Sequence, residues 1–413
     1  MKTSMKLFKD YPEWEEMMPY KVTGIREVNA HIHTPYSFSA FRDLEEPFRM
    51  AREEGVEALG INDFNTVRGY DEFFRLAGTY SVFPLFNIEF IGLLEKEQRE
   101  GVLVNDPNNP GRTYFSGKGL RYPFVPPPDE EHLLDDLRDK GNDQVRRMVE
   151  KANAYFREQV PEVQLSFERI VGELARGVVR ERHVAKAIRM EVQQLGDEQR
   201  QREIYTRMFG GDPPRAALHD IAALENEIRA RLLKKGGPAF IPEDPDAFLP
   251  VPRIISYILK AGGIPCYPVL LDNPSGYITP YEEDKIRLAA SLEELNVFAV
   301  EFIPGRNDLR ILEDYAEYFD RRGFLVLFGT EHNTPAMQPL RVTSRGGVPL
   351  TPRLREIAWN SACIVAAHQY QISRGKTGIV DPDGFANSEQ RGILTALGAA
   401  VIGYFRKINK API

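Results

Sequence analysis

The most informative segment of the sequence is Val28-Asn-Ala-His-Ile-His-Thr-Pro-Tyr-Ser37, in which two histidines are separated by one residue. The residues before the histidines have the pattern of a short strand. Because side chains alternate along a strand, His31 and His33 should lie on the same face. Two imidazoles in that arrangement at a strand end can bind one metal ion side by side. Paired histidines also occur as ordinary polar residues, so other parts of the chain must support a metal site.

Two further strands are predicted downstream, and each of them ends in polar residues. Residues 56–61 form a short apolar segment that leads into Asp63, and residues 82–90 end at Glu89. The helix-like spacing of the intervening segments gives the strand–helix–strand order of a parallel sheet. The carboxyl ends of such strands are where α/β barrels and open sheets carry their chemistry.

The same order of elements resumes after residue 253, and the last predicted strand, 324–328, leads into Glu331 and His332. Four strand ends therefore carry possible ligands or catalytic groups. Because these ends meet at one edge of a parallel sheet, we expect a metal or phosphate site there. Asp63 has an alternative role, since a carboxylate after a strand can also cap the next helix.

A block of different composition separates the two α/β segments. Residues 93–128 are loop-like, and residues 129–235 carry basic and acidic side chains in nearly equal numbers, which is typical of solvated amphipathic helices. We therefore predict three parts: a barrel formed by residues 1–92 and 250–340, a helical insertion with linkers at 93–249, and C-terminal helices at 341–413 that close the barrel.

The composition excludes several classes of protein. Hydrophobic residues make up 42% and charged residues 27% of the 413 positions, so the chain is not a disordered or fibrous protein. No apolar stretch reaches the roughly 18 residues that a membrane helix needs, so no membrane partner is expected. The two cysteines, Cys266 and Cys363, and an N-terminus without an apolar leader favour a cytoplasmic location. The net charge of −7 argues against long nucleic acid as a partner.

Several motifs resemble those of the polymerase-and-histidinol-phosphatase (PHP) superfamily, in the same order and with similar spacing. His31-Ile-His-Thr-Pro-Tyr-Ser37 resembles the motif HxHTxxS, Gly60-Ile-Asn-Asp-Phe-Asn-Thr66 resembles LTDHDT, and Asn87-Ile-Glu89 resembles the short third motif ending in glutamate. Ala261-Gly-Gly-Ile-Pro-Cys-Tyr-Pro268 resembles AGGxxVxAHP, Val300-Glu-Phe-Ile303 resembles GIEVY, and Gly329-Thr-Glu-His332 resembles GSDxH. In addition, Arg180-Glu-Arg-His-Val-Ala-Lys-Ala187 resembles the TRxHxAxAL helix in the inserted domain of the amidohydrolase-like branch.

The resemblance implies a distorted (β/α)7 TIM-like barrel with a helical insertion domain. It also implies two or three metal ions at the mouth of the barrel, which members of the family use to hydrolyse phosphoesters by metal-activated water. Their substrates include histidinol phosphate, nucleotide phosphates and oligonucleotide ends.

The chain departs from the family motifs at several ligand positions. Phe64 and Tyr267 stand where histidines are usual, Asn65 replaces an aspartate, and no histidine follows Glu89 before His132. Both aromatic side chains are bulky enough to fill the space that the histidines would vacate. We therefore expect fewer metal ions than the family pattern implies.

A reduced centre would hold at most one tightly bound divalent ion, which could be zinc, manganese or iron. Glu331 and His332 are adjacent instead of being separated by one residue, so either this strand end is remodelled or His332 takes the role alone. Cys266 could serve as a soft substitute ligand. The expected ligands are His31, His33, Glu89 and His332.

The leading interpretation is a metal-dependent phosphoesterase that acts on a small phosphorylated or otherwise anionic substrate. Asp63 or Glu331 would take the proton, and Arg306, which directly follows a predicted strand, would hold the anionic group. Most other basic residues in the loops, including Lys118, are expected to be solvated surface charges. Two alternatives stay open: a degraded relative that binds a ligand or regulates with one metal ion or none, and a one-metal hydrolase of non-phosphate substrates.

Overall fold

A barrel-like sheet is the centre of the computed structural model, which describes residues 5–273 and 275–409. Within these residues the strands are β1 (Glu27–Ile32), β2 (Val56–Phe64), β3 (Phe83–Leu93), β4 (Arg112–Lys118), β5 (Leu249–Pro250), β6 (Ile264–Pro268), β7 (Ala299–Phe302), β8 (Leu325–Phe328), β9 (Thr343–Ser344) and β10 (Val348–Pro349). Seven of them form the barrel in the order β1-β2-β3-β4-β6-β7-β8, while β5 pairs with β3 and β9 pairs with β10.

The barrel is nearly closed by contacts between the end of β8 and the end of β1. The backbone N–H groups of Thr330 and Glu331 donate to the carbonyl oxygen of His31 at 3.1 and 3.0 Å, and His33 N–H donates to the Glu331 carbonyl at 2.6 Å. All neighbouring strands of the barrel are parallel except β4, which is antiparallel to both β3 and β6. The predicted TIM-like barrel is confirmed, and the antiparallel strand accounts for its distortion.

The prediction of a loop over residues 93–128 was wrong at two places. A short helix (Glu95–Glu100) follows β3, and β4 lies within this stretch as a full member of the barrel. The sequence of β4, Arg-Thr-Tyr-Phe-Ser-Gly-Lys, hides the strand because its buried positions include the polar residues Thr113, Ser116 and Lys118. A strand that buries polar residues, with Ser116 and Lys118 on its interior face, resembles a loop when only the sequence is read.

Helices surround the sheet and form the inserted block. They are α1 (Trp14–Met17), α2 (Glu45–Glu54), α3 (Tyr70–Tyr80), α4 (Glu95–Glu100), α5 (Leu133–Gln159), α6 (Phe167–Arg169), α7 (Glu181–Gln194), α8 (Glu198–Met208), α9 (Ile221–Ile228), α10 (Val251–Lys260), α11 (Lys285–Glu294), α12 (Leu309–Arg321), α13 (Pro352–Ser373) and α14 (Arg391–Ile408). None of the described helices is both long and apolar enough to cross a lipid bilayer.

Local sequence explains where several of these helices begin and end. Asp284 and Asp308 are N-caps whose carboxylates accept backbone N–H bonds from the first turns of α11 and α12. Thr351 caps α13 in the same way, and Pro352 occupies its first position, where no N–H partner is needed. Gly55 ends α2 in the left-handed conformation that glycine adopts without strain.

Residues 129–235, all of which are described, contain helices α5–α9 but no strand. These helices bury their own apolar cluster, separate from the core beneath the barrel, with Phe156, Ile188 and Tyr205 among its fully buried members. The first turn of α7 approaches the mouth of the barrel, where Arg180 and Arg182 lie near the ends of the strands. At the other end of the chain, α13 packs against β8, β1 and α14.

We expect that Gly329→Ala will destabilise the closure of the barrel. A Cβ atom at Gly329 would lie 2.3 Å from the Cβ of His31 and 2.9 Å from its Cα, so the ends of β8 and β1 would have to separate. Such overpacking costs about 1–3 kcal/mol, which should appear as a lower midpoint in thermal unfolding.

Gly141→Ala is the matched control, because Gly141 lies in α5 and an added Cβ meets nothing within 4 Å there. Its midpoint should stay the same or rise slightly, since alanine is the better helix former. Equal midpoints for the two variants would contradict the close packing assigned to Gly329.

Candidate metal centre

Three side-chain atoms converge inside the mouth of the barrel. The Nε2 atoms of His31 and His33 are 3.2 Å apart, and Glu89 Oε2 lies 3.1 Å from the Nε2 of His33 and 3.8 Å from that of His31. In the described part of the chain, His31, His33 and Glu89 form the one group of three His, Cys, Asp or Glu side chains whose ligand atoms all lie within 4.8 Å of one another. His31 and His33 come from the end of β1 and Glu89 from β3, so the structure brings together three of the four predicted ligands.

The tautomers of both histidines follow from their other contacts. His31 Nδ1 lies 2.9 Å from Glu301 Oε2, and an ionised carboxylate can only accept, so Nδ1 carries the proton. Ser37 Oγ donates its hydrogen to Asp63 at 2.6 Å, so it accepts from His33 Nδ1, which is 3.2 Å away. Both imidazoles therefore carry a lone pair on Nε2, beside Glu89, and that of His31 also faces the amide nitrogen of Asn62 at 3.0 Å.

This arrangement fits a divalent cation. Ligand atoms that bind one ion at about 2.1 Å are separated by roughly 3.0–3.4 Å, which is close to the separations found here. Glu89 Oε2 is buried and has no hydrogen-bond partner. Three electron-pair donors in mutual contact repel one another unless a cation or a proton lies between them.

Burial favours the neutral forms of the residues in the absence of a cation. It lowers the pKa of His33 to about 4 and raises the pKa of Glu89 to about 8. A neutral imidazole is the form that binds a metal ion. A bound cation would favour the ionised form of Glu89, because it reverses the electrostatic balance around the carboxyl group.

A buried ion pair supports His31 from behind. Lys118 Nζ donates to Glu301 Oε2 at 2.6 Å, and Ser116 Oγ donates to Glu301 Oε1 at 2.7 Å. Burial raises the pKa of Glu301, but the charge of Lys118 and the hydrogen bond from His31 lower it more, so the net direction is downward. A carboxylate that accepts the second ring N–H of a histidine is the usual way to orient a metal ligand.

Sequence reasoning missed this support. Glu301 lies in the segment that resembles GIEVY, but no role was predicted for it. Lys118 was considered only within a group of basic residues, most of which were expected to be surface charges. The Lys118 side chain is 0% exposed. Its place opposite the carboxylate of Glu301 depends on the antiparallel strand β4, which the sequence did not reveal.

Phe64, which stands where the family has a histidine, packs on the candidate ligand His33. The two rings are nearly parallel, at an angle of 21° with their centroids 4.6 Å apart. The guanidinium of Arg180 lies 4.4 Å from the centroid of the Phe64 ring. The phenyl ring therefore fixes the orientation of one imidazole and links it to the first turn of α7.

Tyr267 does not occupy the vacated space. Its hydroxyl donates to Glu282 Oε1 at 2.6 Å, away from the three converging atoms. The neighbouring Cys266 pairs with Ser116 across the strands and is close enough to Glu301 and Lys118 for their charges to affect it. Cys266 is not among the converging ligand atoms, and burial raises the pKa of its thiol, which keeps it protonated.

Both oxygens of Asp63 bind the loop that follows β1. Oδ1 accepts from the backbone N–H of Thr34 at 2.7 Å and from Ser37 Oγ, while Oδ2 accepts from Thr34 Oγ1 at 2.5 Å. Burial raises the pKa of Asp63, and these donors, together with the nearby His33, oppose the increase. The contacts hold the His31–Ser37 loop in place.

The strand end at Glu331 and His332 is remodelled. Both residues have positive φ values, 61° and 56°, which are uncommon for non-glycine residues. As a result, the His332 ring stacks on Phe41, with its nitrogens 2.8 Å from Thr330 Oγ1 and 2.9 Å from the Gln338 carbonyl oxygen. His332 is thus directed away from His31, His33 and Glu89.

Glu331 and Arg306 form an ion pair at the rim of a cavity of about 240 Å³. Glu89 and Glu301 border the same cavity, and Arg182 of the inserted block forms part of its wall. Burial lowers the pKa of Arg182 to about 10, so it is still charged at neutral pH. Sequence reasoning singled out Arg306 and Glu331 but not Arg182, since its approach to the barrel depends on how α7 packs.

Comparisons with known proteins identify similar folds. The structure is similar to that of a proposed metal-dependent phosphoesterase from Bifidobacterium adolescentis, with a TM-score of 0.51 and 16% identity, over 81% of this chain and 96% of that chain. It also resembles an amidohydrolase from Chromobacterium violaceum with bound sulfate and no metal, with a TM-score of 0.49 and 15% identity, over 80% of this chain and 95% of that chain. No family model matches the sequence, and no curated protein matches it. At 16% identity, the similarity to the phosphoesterase structure supports the fold alone.

We expect His31→Ala and His33→Ala to lose bound metal, because each removes one of three converging ligands. Protein purified without chelators should carry about one equivalent of transition metal by elemental analysis, and each variant should carry much less. His332→Gln is the matched control, since its ring nitrogens bond to Thr330 and Gln338 instead. Loss of metal from His332→Gln alone would show that the ion binds elsewhere.

The Tyr267–Glu282 contact predicts a pH-dependent difference in stability. Burial raises the pKa of Glu282 from 4.5 to about 8, and its Oε2 has no hydrogen-bond partner. Between these two pH values the folded chain holds a proton that the unfolded chain has released, so the free energy of unfolding falls as the pH rises. Glu282→Gln should therefore gain stability relative to the wild type across this window in urea denaturation.

Glu283→Gln serves as the control, because Glu283 is the exposed neighbour. Its difference from the wild type should stay constant with pH. Parallel stability curves for Glu282→Gln and the wild type would contradict the raised pKa.

Proposed function

We propose that this protein is a metal-dependent hydrolase of the PHP type that cleaves a phosphoester in a small anionic substrate. The observation that carries the proposal is the convergence of two Nε2 lone pairs and the unpartnered Oε2 of Glu89 beside a cavity with arginines in its wall. We assign His31, His33 and Glu89 as the ligands of one zinc, manganese or iron ion. Such an ion supplies a Lewis acid and lowers the pKa of a bound water.

Arg306 is our candidate for holding the anionic group of the substrate. A guanidinium matches the geometry of phosphate oxygens, and Arg306 borders the cavity with a side chain that is 43% exposed. In the absence of a ligand it pairs with Glu331. An incoming anion would compete for the guanidinium and release the carboxylate of Glu331. Arg182 on the cavity wall adds a second positive charge.

Of the two carboxylates predicted as proton acceptors, the geometry favours Glu331. It borders the cavity, and although burial raises its pKa, the charge of Arg306 and the hydrogen bond from its guanidinium lower it more, so it is ionised at neutral pH. The oxygens of Asp63 are occupied by Thr34 and Ser37. We therefore propose that Asp63 positions the loop that carries His33.

The dimensions and charge of the site favour a small substrate. A cavity of about 240 Å³ accommodates a small phosphorylated molecule but not an extended chain. The net charge of −7 also disfavours a long polyanion. A phosphomonoester or a short phosphodiester is the class that we propose.

The assay is a panel of phosphomonoesters and phosphodiesters with added manganese, zinc or iron. The wild type should hydrolyse at least one of them, and His31→Ala should lose both metal and turnover because a ligand is missing. Arg306→Ala should keep the metal but raise KM roughly 10- to 100-fold, the effect of losing charge-assisted hydrogen bonds.

Arg310→Ala is the control for a lost positive charge, since Arg310 is an exposed arginine on α12 outside the cavity. Its KM should equal that of the wild type. If the wild type hydrolyses no member of the panel faster than His31→Ala, the phosphoesterase proposal fails.

A further inference from the structure

Lys118 is a fully buried lysine in the interior of the barrel. Its side chain is 0% exposed, and Nζ donates to Glu301 Oε2 at 2.6 Å and to Asn62 Oδ1 at 3.1 Å. Lysine is almost never fully buried unless it is paired. The surrounding residues therefore form a site built to hold a positive charge.

This positive charge lies next to the candidate metal centre. Glu301 Oε2 is shared between the Lys118 ammonium and His31 Nδ1, which is 2.9 Å away on the far side of the imidazole from the converging atoms. Asn62 links the same two residues, because its Oδ1 accepts from Lys118 while its Nδ2 is 3.0 Å from His31 Nε2. A single imidazole thus separates Lys118 from the proposed ion.

The oxygens around Lys118 are ligands that a hard or borderline cation could use. Glu301 Oε2 and Asn62 Oδ1 both contact the ammonium, and Ser116 Oγ bonds to the other oxygen of Glu301. With the ammonium in place, these oxygens are occupied and the charge of Glu301 is balanced. A second divalent ion would face the repulsion of both a lysine and the first ion.

In the described residues, the ligand atoms of His31, His33 and Glu89 converge around one position. We propose that the ammonium group of Lys118 takes the place of a second metal ion, so that removing it opens a second cation site at Glu301 and Asn62. The inference rests on the proposed one-metal centre. It assigns Lys118 the role of a fixed cation that limits the centre to one ion and holds Glu301 against His31.

The test measures metal stoichiometry in Lys118→Ala. After equilibrium with excess manganese and removal of free ions, the wild type should retain one equivalent and the variant two. In the variant, electron paramagnetic resonance should show the magnetic coupling of two nearby manganese ions, whereas the wild type should give an uncoupled spectrum. This readout does not depend on turnover and would not change if Lys118 had only a structural role.

Lys118→Ala combined with Glu301→Gln is the matched control. It removes the carboxylate that would bind the second ion, so the stoichiometry should return to one. Lys118→Ser is the second variant in case the alanine variant does not fold, because serine keeps a polar side chain at this position and leaves the space beside Glu301 Oε2 and Asn62 Oδ1 open. It should also bind two ions, since the repelling charge is gone.

Two results overturn the inference while leaving the proposed function intact. One is a wild type that binds two or more manganese ions, a measurement that needs no variant. The other is a folded Lys118 variant, judged by circular dichroism, that still binds only one. A wild type that binds no metal would contradict the proposed function itself, and this inference with it.

Discussion

The hydrogen bonds that close the barrel are the constraint on which the rest of the site depends. The carbonyl oxygen of His31 accepts two N–H bonds from Thr330 and Glu331, and Glu331 accepts one from His33. Gly329 permits this approach, because any side chain there would meet His31. The closure sets His31 and His33 opposite Glu89 and brings Glu331 to the rim of the same cavity. It also requires two consecutive residues with positive φ, and the resulting turn directs His332 away from the centre.

The parts of the fold that could be predicted from the sequence are the strands and helices whose buried residues are hydrophobic. Parallel strands buried on both faces appear as apolar segments, so β1, β2, β3 and β6–β8 were recognisable, and their ends indicated His31, His33 and Glu89. Strand β4 was not recognisable, since it directs Thr113, Ser116 and Lys118 into buried surroundings. The same strand carries the partner of Glu301, so missing the strand meant missing the support of His31. The direction of His332 depends on backbone dihedral angles, which a motif of residue types does not specify.

Aromatic side chains have different effects at Phe64 and Tyr267, the two positions where the PHP motifs have histidines. Phe64 packs on His33 and so keeps the remaining imidazole in place. Tyr267 instead faces the helical layer and bonds to Glu282, because neighbouring residues on β6 point to opposite sides and Cys266 faces the interior. Phe64 therefore contacts a proposed metal ligand directly, whereas Tyr267 belongs to the packing outside the cluster of His31, His33 and Glu89.

The interior of the barrel holds two carboxyl groups, and their surroundings favour the ionised form of Glu301 and the neutral form of Glu89. Glu301 has a lysine, a serine and a histidine as donors, which keep it ionised without any metal. Glu89 has an oxygen with no partner, and burial raises its pKa to about 8. A divalent cation beside Glu89 has to displace only a proton, whereas a cation beside Glu301 has to displace the ammonium group of Lys118. The distribution of protein cations, more than the number of acidic residues, therefore determines where an ion would bind in this barrel.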